Sequence, residues 1–186
     1  MTKGQESKRA VPRVFTIGHS TRTADEVFEM LRANEVTELV DVRSFPGSRK
    51  YPQWNQDAIE DALPAEIGYR WIRDIGGRRY TPVDVPSPNG GWRVKAFRDY
   101  ADYMETAEFR SGLAELLRVA HESIPAIMCS EAVPWRCHRR LITDALIVAG
   151  AEVFDIMSIS STRLASMTEF AHVQGETITY PESAEA

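Results

Sequence analysis

The sequence predicts an α/β fold, a single doubly wound domain of about five mainly parallel strands with helices on both faces. Three observations carry this reading. Short β-branched runs alternate with segments of helical periodicity, the pattern of a parallel sheet covered on both sides. The chain has 186 residues, 43% hydrophobic and 26% charged, which suits one ordinary domain with its own core and excludes disorder. Each of three strands ends in polar groups, and ligands of open parallel sheets bind beyond the carboxyl ends of the strands.

In chain order, residues 14–17 are a β-branched and aromatic run ending at Gly18, the first strand. Thr23-Ala-Asp-Glu26 then has capping-box spacing, and Ala24, Val27, Phe28 and Leu31 share one helical face. Residues 37–42 make strand two, closed by Arg43 and by turn chemistry at Pro46-Gly47. Asn55 caps a helix lined by Ala58, Ile59, Ala62 and Leu63, and 69–72 is strand three. Residues 76–92 hold Gly76-Gly77, Pro82, Pro86, Pro88 and Gly90-Gly91 and cannot be a regular element. Two helical stretches follow, one marked by Phe97, Ala101 and Met104, the other by Phe109, Leu113, Leu116, Leu117 and Ala120. Residues 124–129 are an apolar strand with Pro125 near its start, 138–149 a helix stopped by Gly150, and 153–156 the last core strand. One domain over 13–172 is expected, with polar termini at 1–12 and 173–186, the latter poorly ordered.

Lys+Arg 22 against Asp+Glu 27 gives a net charge of -5, so coating of duplex DNA by bulk charge is excluded; nucleic acid is possible as a local partner but is not indicated by the net charge. Residues 43–98 carry 10 basic and 6 acidic side chains, whereas 151–186 carry one basic and six acidic. The basic middle is where an anionic ligand would bind. No apolar run approaches the roughly 20 residues of a membrane span, and the start MTKGQESKRAVPR lacks an apolar signal region, so no membrane association or export is expected. The cysteines, Cys129 and Cys137, read as thiols of a reducing cytoplasm. The oligomeric state is left open.

The polar strand ends are Gly18-His19-Ser20, Asp41 with Arg43, and Cys129-Ser130-Glu131. The densest constellation runs from Cys129 to Arg139. Cys137 and His138 lie one turn before the apolar stripe Leu141, Ile142, Ala145, Leu146 and Ala149, so they point toward the sheet edge. A thiol at a helix start has a depressed pKa, which makes Cys137 a candidate nucleophile, although a small buried hydrophobe explains it equally. Glu131, a carboxylate directly after an apolar strand, needs a partner or a role: general acid or base, or orienting Arg139 or His19. Arg43, Arg136 and Arg139 near a helix start suit a phosphate or carboxylate, and Ser20 and Asp41 join them at the strand ends. Arg140 and Asp144 read as a surface pair.

Two sharper readings fail on spacing. A thiol phosphatase needs Cys-x5-Arg, and six residues separate Cys129 from Arg136. A metal site would draw on Cys129, Cys137, His138 and His19 or Glu131, but adjacent Cys137 and His138 rarely reach one ion and no CxxC pair exists, so neither metal nor cofactor is assigned. Tyr51, Trp54, Tyr80 and Trp92 interleave with Arg49, Lys50, Arg78, Arg79, Arg93 and Lys95, a pattern that stacks a base beside held phosphates or simply covers a core. His121 and His172 read as structural or solvated.

Thr16-Ile-Gly-His-Ser20, Leu39-Val-Asp-Val-Arg43 with Pro46, Gly76-Gly77, Tyr103-Met-x-Thr106 with Phe109, and Met128-Cys-Ser-Glu131 followed by Cys137-His-Arg139 together resemble the Domain of Unknown Function family 488. The resemblance runs from about residue 16 to 156. It implies an α/β domain and marks His19, Ser20, Asp41, Arg43, Cys129, Glu131, Cys137, His138 and Arg139 as matching positions; it implies no reaction. Where this chain has Asp155, the family pattern often has His.

The resulting expectation is a pocket for an anionic small molecule or nucleotide-like group, with Arg43 and Arg139 as anchors, Arg136 beside them and the 76–92 loop as a lid. The favoured use is hydrolysis or group transfer on a nucleotide-like or phosphorylated substrate. Glu131 is the general acid or base, His19 and His138 assist, and Cys129 or Cys137 is a secondary nucleophile. The rival is a noncatalytic nucleotide or nucleic-acid binding module.

Overall fold

The computed structural model describes residues 10–182, so the expectations for 1–9 and 183–186 lie outside the described residues. Four apolar β-formers carry the centre of the sheet: β1 (Arg13–Gly18), β2 (Glu38–Asp41), β4 (Pro125–Cys129) and β5 (Glu152–Ser158). With β3 (Gly68–Trp71) and β6 (Ser161–Leu164) they form a six-stranded sheet in the order β3-β2-β4-β1-β5-β6. All pairs are parallel except β5 with β6.

Alternation along each strand divides the core into two layers. Phe15, Ile17, Leu39, Ala126 and Met128 face the layer of α1 (Ala24–Ala33) and α2 (Gln56–Ala62). Val14, Val40, Ile127 and Cys129 face the layer of α3 (Lys95–Tyr103), α4 (Ala107–Glu122) and α5 (Arg139–Val148). Each fully buried Val, Ile or Leu contributes roughly 1.5–3 kcal/mol to this packing. The helices start as their sequences dictate: Thr23 and Glu26 close the capping box of α1, and Thr106 Oγ1 accepts from the Phe109 amide at α4. Gly150, at a φ of +88°, follows the end of α5.

The chain leaves β1, passes over the β4 position to β2 and β3, then returns to insert β4 between β1 and β2. The carboxyl ends of β1, β2 and β4 therefore stand side by side, where ligands of such sheets bind.

The mainly parallel α/β domain of about five strands is as expected, with antiparallel β6 added at one edge, its four residues all exposed and without apolar alternation. Two other expectations need correction. The chain beyond 172 is not simply a polar tail: β7 (His172–Gln174) and β8 (Thr177–Thr179) pair through a turn at Gly175, and Ile178 and Tyr180 are buried in the α4–α5 layer. Two apolar side chains amid acidic residues suffice, because each fills a groove that α4, α5 and Trp92 leave open. Arg140 and Asp144 are not a surface pair. Asp144 is fully buried and accepts from the Thr168 amide (2.9 Å) and the Tyr180 hydroxyl (2.8 Å), while Arg140 donates to Thr168 and covers Trp92.

Candidate functional site

Beyond the sheet, the β1 and β4 ends continue as a zipper. The His19 amide donates to the Cys129 carbonyl and the Ser20 amide to the Ser130 carbonyl, each at 3.0 Å. Gly18 makes this approach possible, since a Cβ there would lie 1.7 Å from the Glu131 carbonyl oxygen. Ser20 turns away with a φ of 47°, a conformation that non-glycine residues hold mainly where surrounding contacts enforce it. Arg22, which sequence reasoning missed, clamps the turn by donating to the Gly18 and Met157 carbonyls.

These ends open on a cleft of about 1140 Å³. Its floor includes His19, Arg43, Cys129, Cys137 and His138, all buried, while Ser20 is half-buried on its wall and Glu131 and Arg136 stand exposed on its rim.

His19 lies flat on Trp54, with ring centroids 4.6 Å apart and planes 16° from parallel. Its Nδ1 is 3.1 Å from the Ser20 carbonyl, which only accepts, so Nδ1 carries the hydrogen and the buried Nε2 presents a lone pair with no protein partner among the described residues. Burial, reinforced by the nearby Arg43 charge, lowers its pKa to about 4. His19 is thus a neutral hydrogen-bond acceptor at physiological pH.

Arg43 is held by Asp41. Its Nε is 2.9 Å from Oδ1, and its own amide donates to the same oxygen at 2.9 Å. The Tyr69 hydroxyl, 2.9 Å from Asp41 Oδ2, completes the cage. Although burial opposes its charge, the bonds to Asp41 raise the Arg43 pKa. Asp41 is fully buried behind the cleft wall, so the expectation that it touches a ligand is corrected: it positions Arg43.

The densest chemistry lies between β4 and α5. His138 Nε2 is 2.8 Å from the Val42 carbonyl and therefore carries the hydrogen, leaving Nδ1 as an acceptor. Nδ1 faces Cys137 Sγ at 3.5 Å and Cys129 Sγ at 3.9 Å, and all three atoms lie within 4.8 Å of one another. Cys129 is pushed up to about 12 by its hydrogen bond to Cys137 and by burial. Burial acts the same way on Cys137, but the bond from Cys129 and the charge and hydrogen bonds of Arg139 outweigh it and bring Cys137 down to about 6.

The expected anchor Arg139 belongs to this cluster and not to the ligand surface. It is 1% exposed and donates to Cys137 Sγ (3.4 Å), Thr16 Oγ1 (3.3 Å) and the Glu131 carbonyl. Glu131 meets Arg139 through its backbone oxygen, while its carboxylate has no hydrogen-bond partner among the described residues and stands on the cleft rim. Sequence reasoning placed Arg49 and Arg78 in basic loops without assigning them to the site; both are exposed on the cleft wall. Phe45, beside the Arg78 guanidinium at 5.8 Å, was missed altogether, because an isolated phenylalanine in a turn carries no periodicity signal. Of the 76–92 loop only Gly77 and Arg78 reach the cleft, which removes most of the expected lid. Asn89 and Trp92 anchor its far end on Tyr180.

Comparison with known proteins finds one family. A family model described as "Domain of unknown function DUF488" matches residues 23–146, a stretch that holds Asp41, Arg43 and the whole Cys129–Arg139 segment but not His19 or Ser20. No curated protein and no solved structure matches the chain. Among the described residues no helix is long and apolar enough to cross a membrane.

Proposed function

Since the chain belongs to the DUF488 family, we propose that it is an enzyme that hydrolyses, or transfers a group from, a phosphorylated or nucleotide-like anionic substrate held in the strand-end cleft. One observation carries this reading: the buried Cys129–Cys137–His138 cluster opens on the same cleft that Arg43, Arg49, Arg78 and Arg136 line. Guanidiniums bind phosphate or carboxylate through paired N–H donors, so four of them around one cleft, three of them exposed, favour a ligand of negative charge. The substrate's anion would sit among the arginines, with its reacting atom over the cluster. His19 would accept a hydrogen bond through Nε2, and Glu131 on the rim is the remaining group for proton transfer.

The test is a panel of nucleotides and sugar phosphates followed by thermal shift and by mass-spectrometric detection of product. Arg78→Ala should weaken binding, and Cys137→Ser should abolish turnover while binding persists. No ligand-dependent shift across the panel would overturn the reading. The alternative, a noncatalytic nucleotide or nucleic-acid binding module, draws on Phe45, which is 65% exposed beside Arg78 and free to stack on a base. For a binder, product never forms, and Phe45→Ala is as damaging as Arg78→Ala.

A further inference from the structure

We propose that Cys129, Cys137 and His138 hold one tetrahedral zinc ion whose fourth position opens on the cleft. The metal site stands on its own geometry; its use in catalysis rests on the function proposed above.

Sequence spacing argues against this because side chains of adjacent residues usually point apart. The backbone removes the objection. Cys137 is extended (φ −133°, ψ 150°) and His138 starts a helical turn (φ −57°, ψ −17°), so the change of conformation between them brings both side chains to one point. Cys129 arrives from the end of β4, on the sheet face that α5 covers. The resulting separations of 3.5 and 3.9 Å from His138 Nδ1 to the two sulfurs, with all three atoms within 4.8 Å of one another, are close to those of a metal tetrahedron. With Zn–S near 2.3 Å and Zn–N near 2.0 Å, its edges are about 3.5–3.8 Å.

The surroundings fit as well. The Val42 carbonyl fixes the ring and its tautomer, aiming the Nδ1 lone pair at the sulfurs, as partners of metal-binding histidines do. Two thiolates and an imidazole select a soft or borderline ion and reject Mg²⁺ or Ca²⁺. Two thiolates neutralise Zn²⁺, and the buried Arg139 beside Cys137 leaves the centre with one positive charge. An anionic oxygen is then the favoured fourth ligand, and the arginine-lined cleft is where one would arrive. Three protein ligands with an open position are the pattern of catalytic zinc rather than structural zinc.

The test uses the full chain, stripped with a chelator and titrated with Co²⁺ and Zn²⁺. The expected result is one Co²⁺ per chain, with a thiolate-to-cobalt charge-transfer band and the intense visible bands of a tetrahedral site, displaced by one equivalent of Zn²⁺. Cys129→Ser and His138→Ala should each weaken Co²⁺ binding at least tenfold, with circular dichroism confirming the fold. Should either variant fail to fold, the wild-type cobalt spectrum decides alone. A weak, octahedral spectrum without a sulfur band overturns the site. Inorganic phosphate binding to the metal-free chain is read separately by calorimetry. Phosphate binding without a sulfur-ligated cobalt spectrum overturns the zinc site and leaves the anion cleft standing. A cobalt spectrum without phosphate binding does the reverse.

Discussion

Arg139 points its Nε at Cys137 Sγ across 3.4 Å from a guanidinium that is 1% exposed and has no carboxylate partner among the described residues. A buried cation without a counter-charge is strongly unfavourable, so the sulfur is the group that balances it. After the bond from Cys129, this pairing is the main reason the Cys137 pKa falls to about 6 although the residue is 3% exposed in an apolar layer.

In the metal-free chain, iodoacetamide should therefore label Cys137 before Cys129. The thiolate is the reactive form, so the rate should hold down to about pH 6 and fall below it, while Cys129 stays inert until unfolding. Arg139→Met removes the cation and should move the midpoint toward the ordinary thiol range near pH 8.5. An unchanged midpoint would mean that Arg139 does not set the charge of Cys137. Peptide mapping after timed alkylation provides the measurement.

His19 makes acid stability depend on its burial. Its folded pKa of about 4 lies below the ordinary 6.5, so the unfolded chain takes up a proton first as pH falls. The stability that comes from keeping His19 neutral is fully present above pH 6.5 and is lost progressively down to about pH 4. Urea titrations at stepped pH should show this loss, and His19→Gln should flatten it. A variant profile parallel to that of the parent protein would contradict the assignment.

Gly18→Ala should be among the most damaging single-methyl additions in the chain. The new Cβ has the Glu131 carbonyl 1.7 Å away and cannot be accommodated unless β1 and β4 separate at the cleft. Overpacking of this kind costs about 1–3 kcal/mol or more, and here it should also abolish anion binding. Gly150→Ala is the contrast: its space is open and only the φ of +88° resists, so a loss of about 1 kcal/mol or slightly more is expected, with ligand binding intact. Chemical denaturation with a parallel binding assay distinguishes the two.

Tyr180→Phe tests whether the C-terminal hairpin belongs to the core. It leaves Asp144 Oδ2 buried without its hydroxyl donor, which should cost about 1–3 kcal/mol. Deleting the chain from residue 173 removes Ile178 and Tyr180 together and should lower stability further, since the groove over α4 and α5 is then open. Equal denaturation midpoints for the parent and truncated chains would show the hairpin to be dispensable.

Strand and helix periods, the Thr23–Glu26 cap and the glycine stop at Gly150 are local, so the sequence places β1 to β5 and α5 within a residue or two and marks the other helices by their caps or apolar faces. Grouping His19, Arg43, Cys129, Cys137 and His138 was also legible, because parallel strands carry their ends to one edge whatever their order. The direction of each side chain at that edge was not. Arg139 leaves its expected place in the cleft for the Glu131 carbonyl, which the β1–β4 zipper turns inward while the carboxylate stays on the rim, a consequence of pairing between residues more than a hundred positions apart. Convergence of Cys129, Cys137 and His138 on one point likewise depends on β4 lying beside β1 and β2 with α5 across them. Periodicity within a segment reports which face is buried; only long-range packing decides what each buried group meets there.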